Sequence, residues 1–166
     1  MRGVHIREAV DADWPAVHRF FSAIVAAGET YAYPENLTSE QARLLWTGQG
    51  RVVVAVDGDV VLGSATKGPN RPGRGAHIAT ASFMVAPERG GRGVGRALGE
   101  HMIAWAGAAG FRGIQFNAVV ETNTAAVALW RSLGFAVIGT VPGAFHHRTR
   151  GYVGLHVMYR SLVGER

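Results

Sequence analysis

Between positions 85 and 98 the chain sets Val85, Pro87, Gly90, Gly91, Arg92, Gly93, Val94, Gly95, Arg96 and Leu98 in close succession. Glycines at this density let a backbone approach a ligand closely and leave successive amides pointing outward. Ahead of a helix, such a turn forms a cradle for phosphate. Arg92 and Arg96 add positive charge, while the peptide groups do most of the positioning. Two other phosphate-binding patterns fail here. A P-loop needs a lysine followed by serine or threonine after its last glycine, and Lys67 is far away. A dinucleotide fingerprint needs a third glycine where this chain runs Arg96, Ala97, Leu98; it also expects an early strand and an acidic residue about 20 positions on, which this stretch lacks. A turn that merely joins a strand to a helix stays open as the alternative.

Other residues have chemical potential by type and place. Asn123 stands just before an apolar run containing Ala126, Leu129 and Trp130, where its side chain can cap a helix. Asn117 sits within a strand pattern that disfavours asparagine, which argues for a polar role. Tyr31 and Tyr33 lie in an aromatic-rich segment that ring burial can tack to a core. His77 and Glu121, at strand ends, are candidate general bases and are equally readable as solvated surface groups; Glu29 is a further carboxylate candidate. Phe145, His146 and His147 can close over a site, lie in solvent or meet a second subunit. No acidic residues neighbour that histidine pair in sequence, so no metal is expected. With no cysteine in the chain, disulfides and thiolate chemistry are absent.

The elements that must position these residues follow from periodicity and turn signals. Strands are predicted over 4–7, 51–56, 60–66, 77–85, 114–120, 135–141 and 152–159. Asp57-Gly58 marks a tight hairpin. Helices are predicted from a cap at Asp11 or Asp13 to Gly28, then over 38–46, 94–109 and 123–133. Segments 68–75 and 143–151, rich in glycine and proline, are predicted as loops. The order around the glycine cluster is strand, turn, helix.

Composition bounds the answer. The 166 residues suit one domain, and 48% hydrophobic with 17% charged residues describes a globular chain. The net charge of +5 admits an anionic partner. Of 17 basic residues Lys67 is the only lysine, and arginines gather around the glycine cluster, so a phosphate-bearing small ligand explains them more economically than nucleic acid. His5, Arg7, Glu8, Asp11 and Asp13 interrupt the amino-terminal region, and no apolar run reaches the roughly 20 residues of a membrane helix. A cytoplasmic protein with no membrane or nucleic-acid partner is the expectation.

The spacing of Val85, Pro87, Gly91, Gly93, Gly95 and Leu98 resembles the acetyl-CoA pyrophosphate loop of the GNAT superfamily of N-acetyltransferases, with Gly90 where that family prefers arginine or glutamine. Asn123, Ala126, Leu129, Trp130, Gly134 and Phe135 resemble its second signature. The resemblance implies an α/β fold: a single domain over 1–166, a mixed, mostly antiparallel sheet of about seven strands flanked by about four helices, splayed between strands 4 and 5. It implies acetyl-CoA as cosubstrate, held by Phe83, Met84, Val85, the turn from Gly90 through Arg96, Asn123, Ala126 and Trp130. A backbone amide around Met84 or Val85, Met84 first, would face the carbonyl oxygen. Trp130 replaces the tyrosine that the family often uses as an acid; a donor-only indole suits packing instead. The segments around Gly28–Tyr31 and Phe116–Asn123 are similar to acetyltransferases of amino acids and proline analogues such as azetidine-2-carboxylate. There Glu29, Tyr31, Tyr33 and Asn117 would meet a small primary or secondary amine, with direct transfer in a ternary complex. A protein N-terminal or lysine acetyltransferase and a non-catalytic basic binding module are the alternatives. The family also suggests a homodimer through the last strands.

Overall fold

Asp13 turns its carboxylate back rather than forward. It accepts the Val10 amide at 2.8 Å and pairs with Arg7 at 2.8 Å, the guanidinium holding it below the usual carboxylate range. It therefore makes no side-chain cap on the helix that follows, α1 (Trp14–Ala27), contrary to the sequence expectation. Pro15 in the first turn suits that start, and Gly28 in the left-handed region (φ 67°) ends the helix. Helix α2 (Ser39–Thr47) opens with a capping box, Thr38 accepting from the Gln41 amide while Gln41 returns the bond.

The computed structural model describes residues 3–164. Its strands are β1 (His5–Glu8), β2 (Arg51–Asp57), β3 (Val60–Pro69), β4 (Ile78–Val85), β5 (Gly113–Val120), β6 (Ala136–His147) and β7 (Gly151–Ser161). They form one sheet in the order β1-β2-β3-β4-β5-β7-β6. The remaining helices are α3 (Val94–Ala108) and α4 (Thr124–Ser132). Strand alternation sorts the core into layers. Val54 and Val56 of β2 pack under α1 and α2 with Phe20, Phe21 and Trp46, whereas Val53 and Ala55 face α3 with Leu62 and Leu98. A second cluster joins α3, α4 and β5 through Met102, Phe116, Trp130 and Phe135. The expected α/β architecture stands, with antiparallel pairing except between β4 and β5, which are parallel.

One predicted loop is absent. Segment 143–151 is mostly strand: β6 runs to His147, leaving a short turn before β7. Pro142 and Gly143 suggest a break, but β6 is the sheet's edge, where a missing N–H costs no ladder bond, and an irregularity between Val141 and Phe145 absorbs the rest.

Away from this seam, Lys67 of β3 is only 3% exposed. Its ammonium lies 2.8 Å from His101 Nε2 and 4.7 Å from the centre of the Trp105 ring. Burial pulls both Lys67 and His101 below their ordinary pKa values.

Candidate functional site

Strands β4 and β5 are joined at two register pairs, Ile78 with Gly113 and Ala79 with Ile114. Beyond them the strands part, and a cleft of about 600 Å³ opens between. Parity decides which β4 amides face it. Ser64 lies opposite Met84, and two residues along the same ladder the Ala86 amide donates to Leu62 O at 2.8 Å. Met84 therefore turns its peptide groups to β3, and Phe83 and Val85 turn theirs toward the cleft. At Phe83 both groups meet the Tyr31 hydroxyl, which donates to Phe83 O at 2.5 Å and accepts from Phe83 N at 2.9 Å.

The glycine turn lies at the carboxyl end of β4. Gly91 (φ 79°) and Gly93 (φ 75°) hold left-handed conformations that side chains disfavour. Gly93 is also the N-cap of α3 and has no side chain to satisfy the helix's first amides. They point outward beside the mouth of the cleft, a site for anions. The arginines brace this turn: Arg92 pairs with Asp57 at 3.0 Å, and Arg96 donates to Ser132 Oγ at 2.7 Å. Across the cleft, Asn123 Oδ1 accepts from the Ala126 amide at 3.3 Å, capping α4. Trp130 is buried against Phe83 and Phe116, ring centres 4.7 and 4.8 Å away.

The other end of the cleft is assembled from distant segments. Tyr31 and Tyr33 stack with ring centres 5.6 Å apart and planes 7° apart, and Tyr33 OH accepts from Gln49 at 2.7 Å. Burial pushes the Tyr31 phenol far up and raises Tyr33 as well, so both stay protonated. The β5–β7 register slips between Phe116 and Val119, and this bulge leaves Asn117 and Ala118 both exposed to the cleft. Asn117 is oriented by an amide chain, accepting from Gln115 at 2.9 Å and donating to Asn70 at 2.7 Å. Phe145 of β6 closes the far wall. Above it the Arg148 amide donates to Gly28 O at 2.9 Å and the Arg148 side chain pairs with Glu35, joining the 28–37 segment to the β6–β7 turn.

A model of the acetyltransferase (GNAT) family matches residues 14–135. The chain belongs to this family. Among solved structures, a GCN5-related N-acetyltransferase from Kribbella flavida is 67% identical with a TM-score of 0.92, covering 96% of this chain and 98% of that one. The acetyltransferase yncA from Salmonella typhimurium, solved with its cofactor acetyl-CoA, is 26% identical with a TM-score of 0.84, covering 97% and 95%. The N-acetyltransferase aca1 of Schizosaccharomyces pombe is 35% identical over 94 residues, 57% of this chain and 44% of that protein. The chain thus spans less than half of that relative's length.

Against this GNAT framework the sequence-predicted residues divide cleanly. Phe83, Met84, Val85, Gly95, Asn123, Ala126, Trp130, Tyr31, Tyr33 and Asn117 line one cleft. Gly90, Gly91, Arg92, Gly93 and Arg96 lie in the turn leading into α3, whereas the Val94 side chain is buried against Val53, Leu62 and Leu98. Met84 lines the cleft, but its amide belongs to the β3 ladder, and the peptide groups that face the cleft are those of Phe83 and Val85. Glu121 is not brought to the cleft: its carboxylate accepts the Gly154 amide at 2.7 Å. His77, exposed at the far end of β4, and Glu29, exposed after α1, also lie outside the lining. His147 Nδ1 accepts the Thr149 and Arg150 amides, and His146 stacks on Tyr152, leaving Phe145 as that loop's contribution. Sequence reasoning missed Gln49, Thr80 and Ser82; the polar alternation of Thr80 and Ser82 within a strand was the available signal.

Proposed function

We propose that the chain transfers an acetyl group from acetyl-CoA directly to the nitrogen of a small amine. The observation that carries this is the continuity of the site: free amides at the start of α3 lead along the open edge of β4 into a roofed cleft. The residues fit the cosubstrate. Outward amides after Gly93 suit a pyrophosphate, Asn123 and Ala126 would flank the pantetheine arm, and the cleft-facing peptide groups of Val85 suit pairing with its amides. Acetyl-CoA supplies the activated acyl group. The chain's own task is to align the amine with it and to exclude water.

Among the described residues no Asp, Glu, Lys, Arg or His lines the cleft. An ammonium ion gains no counter-charge there, and its desolvation is expensive. The amine must therefore react as its neutral form, and its proton leaves to water. Asn117, Ser82 and Thr80 offer neutral hydrogen bonds to an amino acid or analogue. The Tyr31–Tyr33 and Phe145 walls and the clasp above them favour a small acceptor over a protein side chain or N-terminus. For the subunit arrangement, exposed Ile138, Val141 and Tyr152 on the β6–β7 edge support a homodimer, tested by sedimentation.

The deciding experiment is thiol release from acetyl-CoA across free amino acids, their amides, proline analogues, simple amines and short peptides. Turnover with one small amine is expected. Turnover with peptides alone would replace the small-acceptor reading, and failure to bind acetyl-CoA by calorimetry would overturn the proposal.

A further inference from the structure

We propose that Tyr31 is a catalytic donor, its hydroxyl and the Phe83 amide together holding the thioester oxygen as that oxygen takes up negative charge. The inference rests on the reading that the thioester enters between β4 and β5. Its ground is the position of one oxygen atom. Tyr31 Oη lies 2.9 Å from Phe83 N as an acceptor, so the protein itself marks where an oxygen fits against the cleft-facing amide. The same hydroxyl donates to Phe83 O at 2.5 Å. A phenol has one proton to give and two lone pairs. When a substrate oxygen takes the place at Phe83 N, the hydroxyl gives up the bond it accepts there and redirects its one proton from Phe83 O to that oxygen. A step of about 2.7 Å, one hydrogen-bond length, brings that proton onto the new oxygen.

The surroundings suit this role. The ring is aimed by its stack on Tyr33, whose own ring packs 5.3 Å from Phe21. The segment carrying it is clasped to the β6–β7 turn through Arg148. Burial, the dominant influence on this phenol, keeps it protonated and therefore a donor at every working pH. In the reaction the amine nitrogen forms its bond to the acyl carbon, and the carbonyl π pair moves onto oxygen. When that pair returns, the carbon–sulfur bond breaks, sulfur departs as thiolate, and the ammonium proton passes to water. Both donors strengthen as the oxygen charges, which is what lowers a barrier.

The test compares Tyr31→Phe with wild type for acetyl-CoA and for coenzyme A, which lacks the carbonyl. Expected is a kcat lowered about 100-fold with little change in the KM of the amine. Calorimetry should show the preference for acetyl-CoA over coenzyme A shrinking about 2- to 10-fold. Glu35→Ala, which loosens the clasp and leaves the hydroxyl in place, should keep that preference. Equal tightening of both nucleotides with unchanged turnover would make the hydroxyl a plug and overturn the inference. So would Glu35→Ala reproducing the loss of preference, since the effect would then belong to loop tethering. Wild type that binds no acetyl-CoA would overturn the proposed function itself.

Discussion

The two ends of the cleft are made of different material. At the glycine turn the ligand-facing surface is main chain: amides freed by Gly91 and Gly93 and by the uncapped start of α3. At the proposed acceptor end it is side chain, contributed by the 28–37 segment, Gln49 beyond α2, and strands β4, β5 and β6. At this turn the backbone comes forward through positive-φ glycines, so the first end is written in local spacing. The second exists only once five distant segments meet. An enzyme so divided can keep its donor while its acceptor changes, because the two ends share few residues.

The contrast can be broken most severely at Gly93. Gly93→Glu places a strained, anionic side chain where the diphosphate would sit, and acetyl-CoA affinity should fall about 100-fold or more by calorimetry, with the fold intact by circular dichroism. At the other end Asn117→Ala should raise the acceptor KM about 10-fold and leave acetyl-CoA affinity alone; movement of both constants would erase the division. Asn123 lies on the boundary, because its carboxamide already caps α4. Asn123→Ala should cost about 1 kcal/mol, lowering Tm by about 2–4 °C. A larger fractional loss in acetyl-CoA affinity than in stability would assign the residue to the ligand as well.

The smallest effect belongs to a polar group outside both ends. Lys67 and His101 bind protons less readily folded than unfolded, so stability rises with pH and falls as pH drops below the unfolded histidine value of 6.5. Glu8 opposes this shift at both groups, and Arg51 adds to it at Lys67. Lys67→Met should raise Tm at pH 7 by about 2 °C and flatten the acid side of the stability profile, with kinetics unchanged. Altered KM values would show that the cluster communicates with the cleft.

The same contrast explains what could be read in the chain. Strands, helices and the glycine turn were legible because periodicity and positive-φ glycines are local. The continuation of β6 through Pro142 was not, since only the strand's edge position makes that proline harmless. Glu121 looked available beside Asn123 until β7 supplied the Gly154 amide to it. Met84 and Phe83 differ by one step of strand parity, which depends on the register with β3. Tyr31 was visible as an aromatic in a loop, but its target is a backbone unit 52 positions away.

Among the described residues, backbone pairing ties β4 to β5 at two register pairs, with the Phe83–Phe116 ring contact beyond them. Past that short ladder the cleft edge of Val85 has no strand partner, and a ligand pairing there would add the missing backbone bonds. Anything bound only by the folded form adds to its durability by mass action. Resistance of the folded chain to proteolysis should then rise with the acetyl-CoA concentration, before a single turnover is counted.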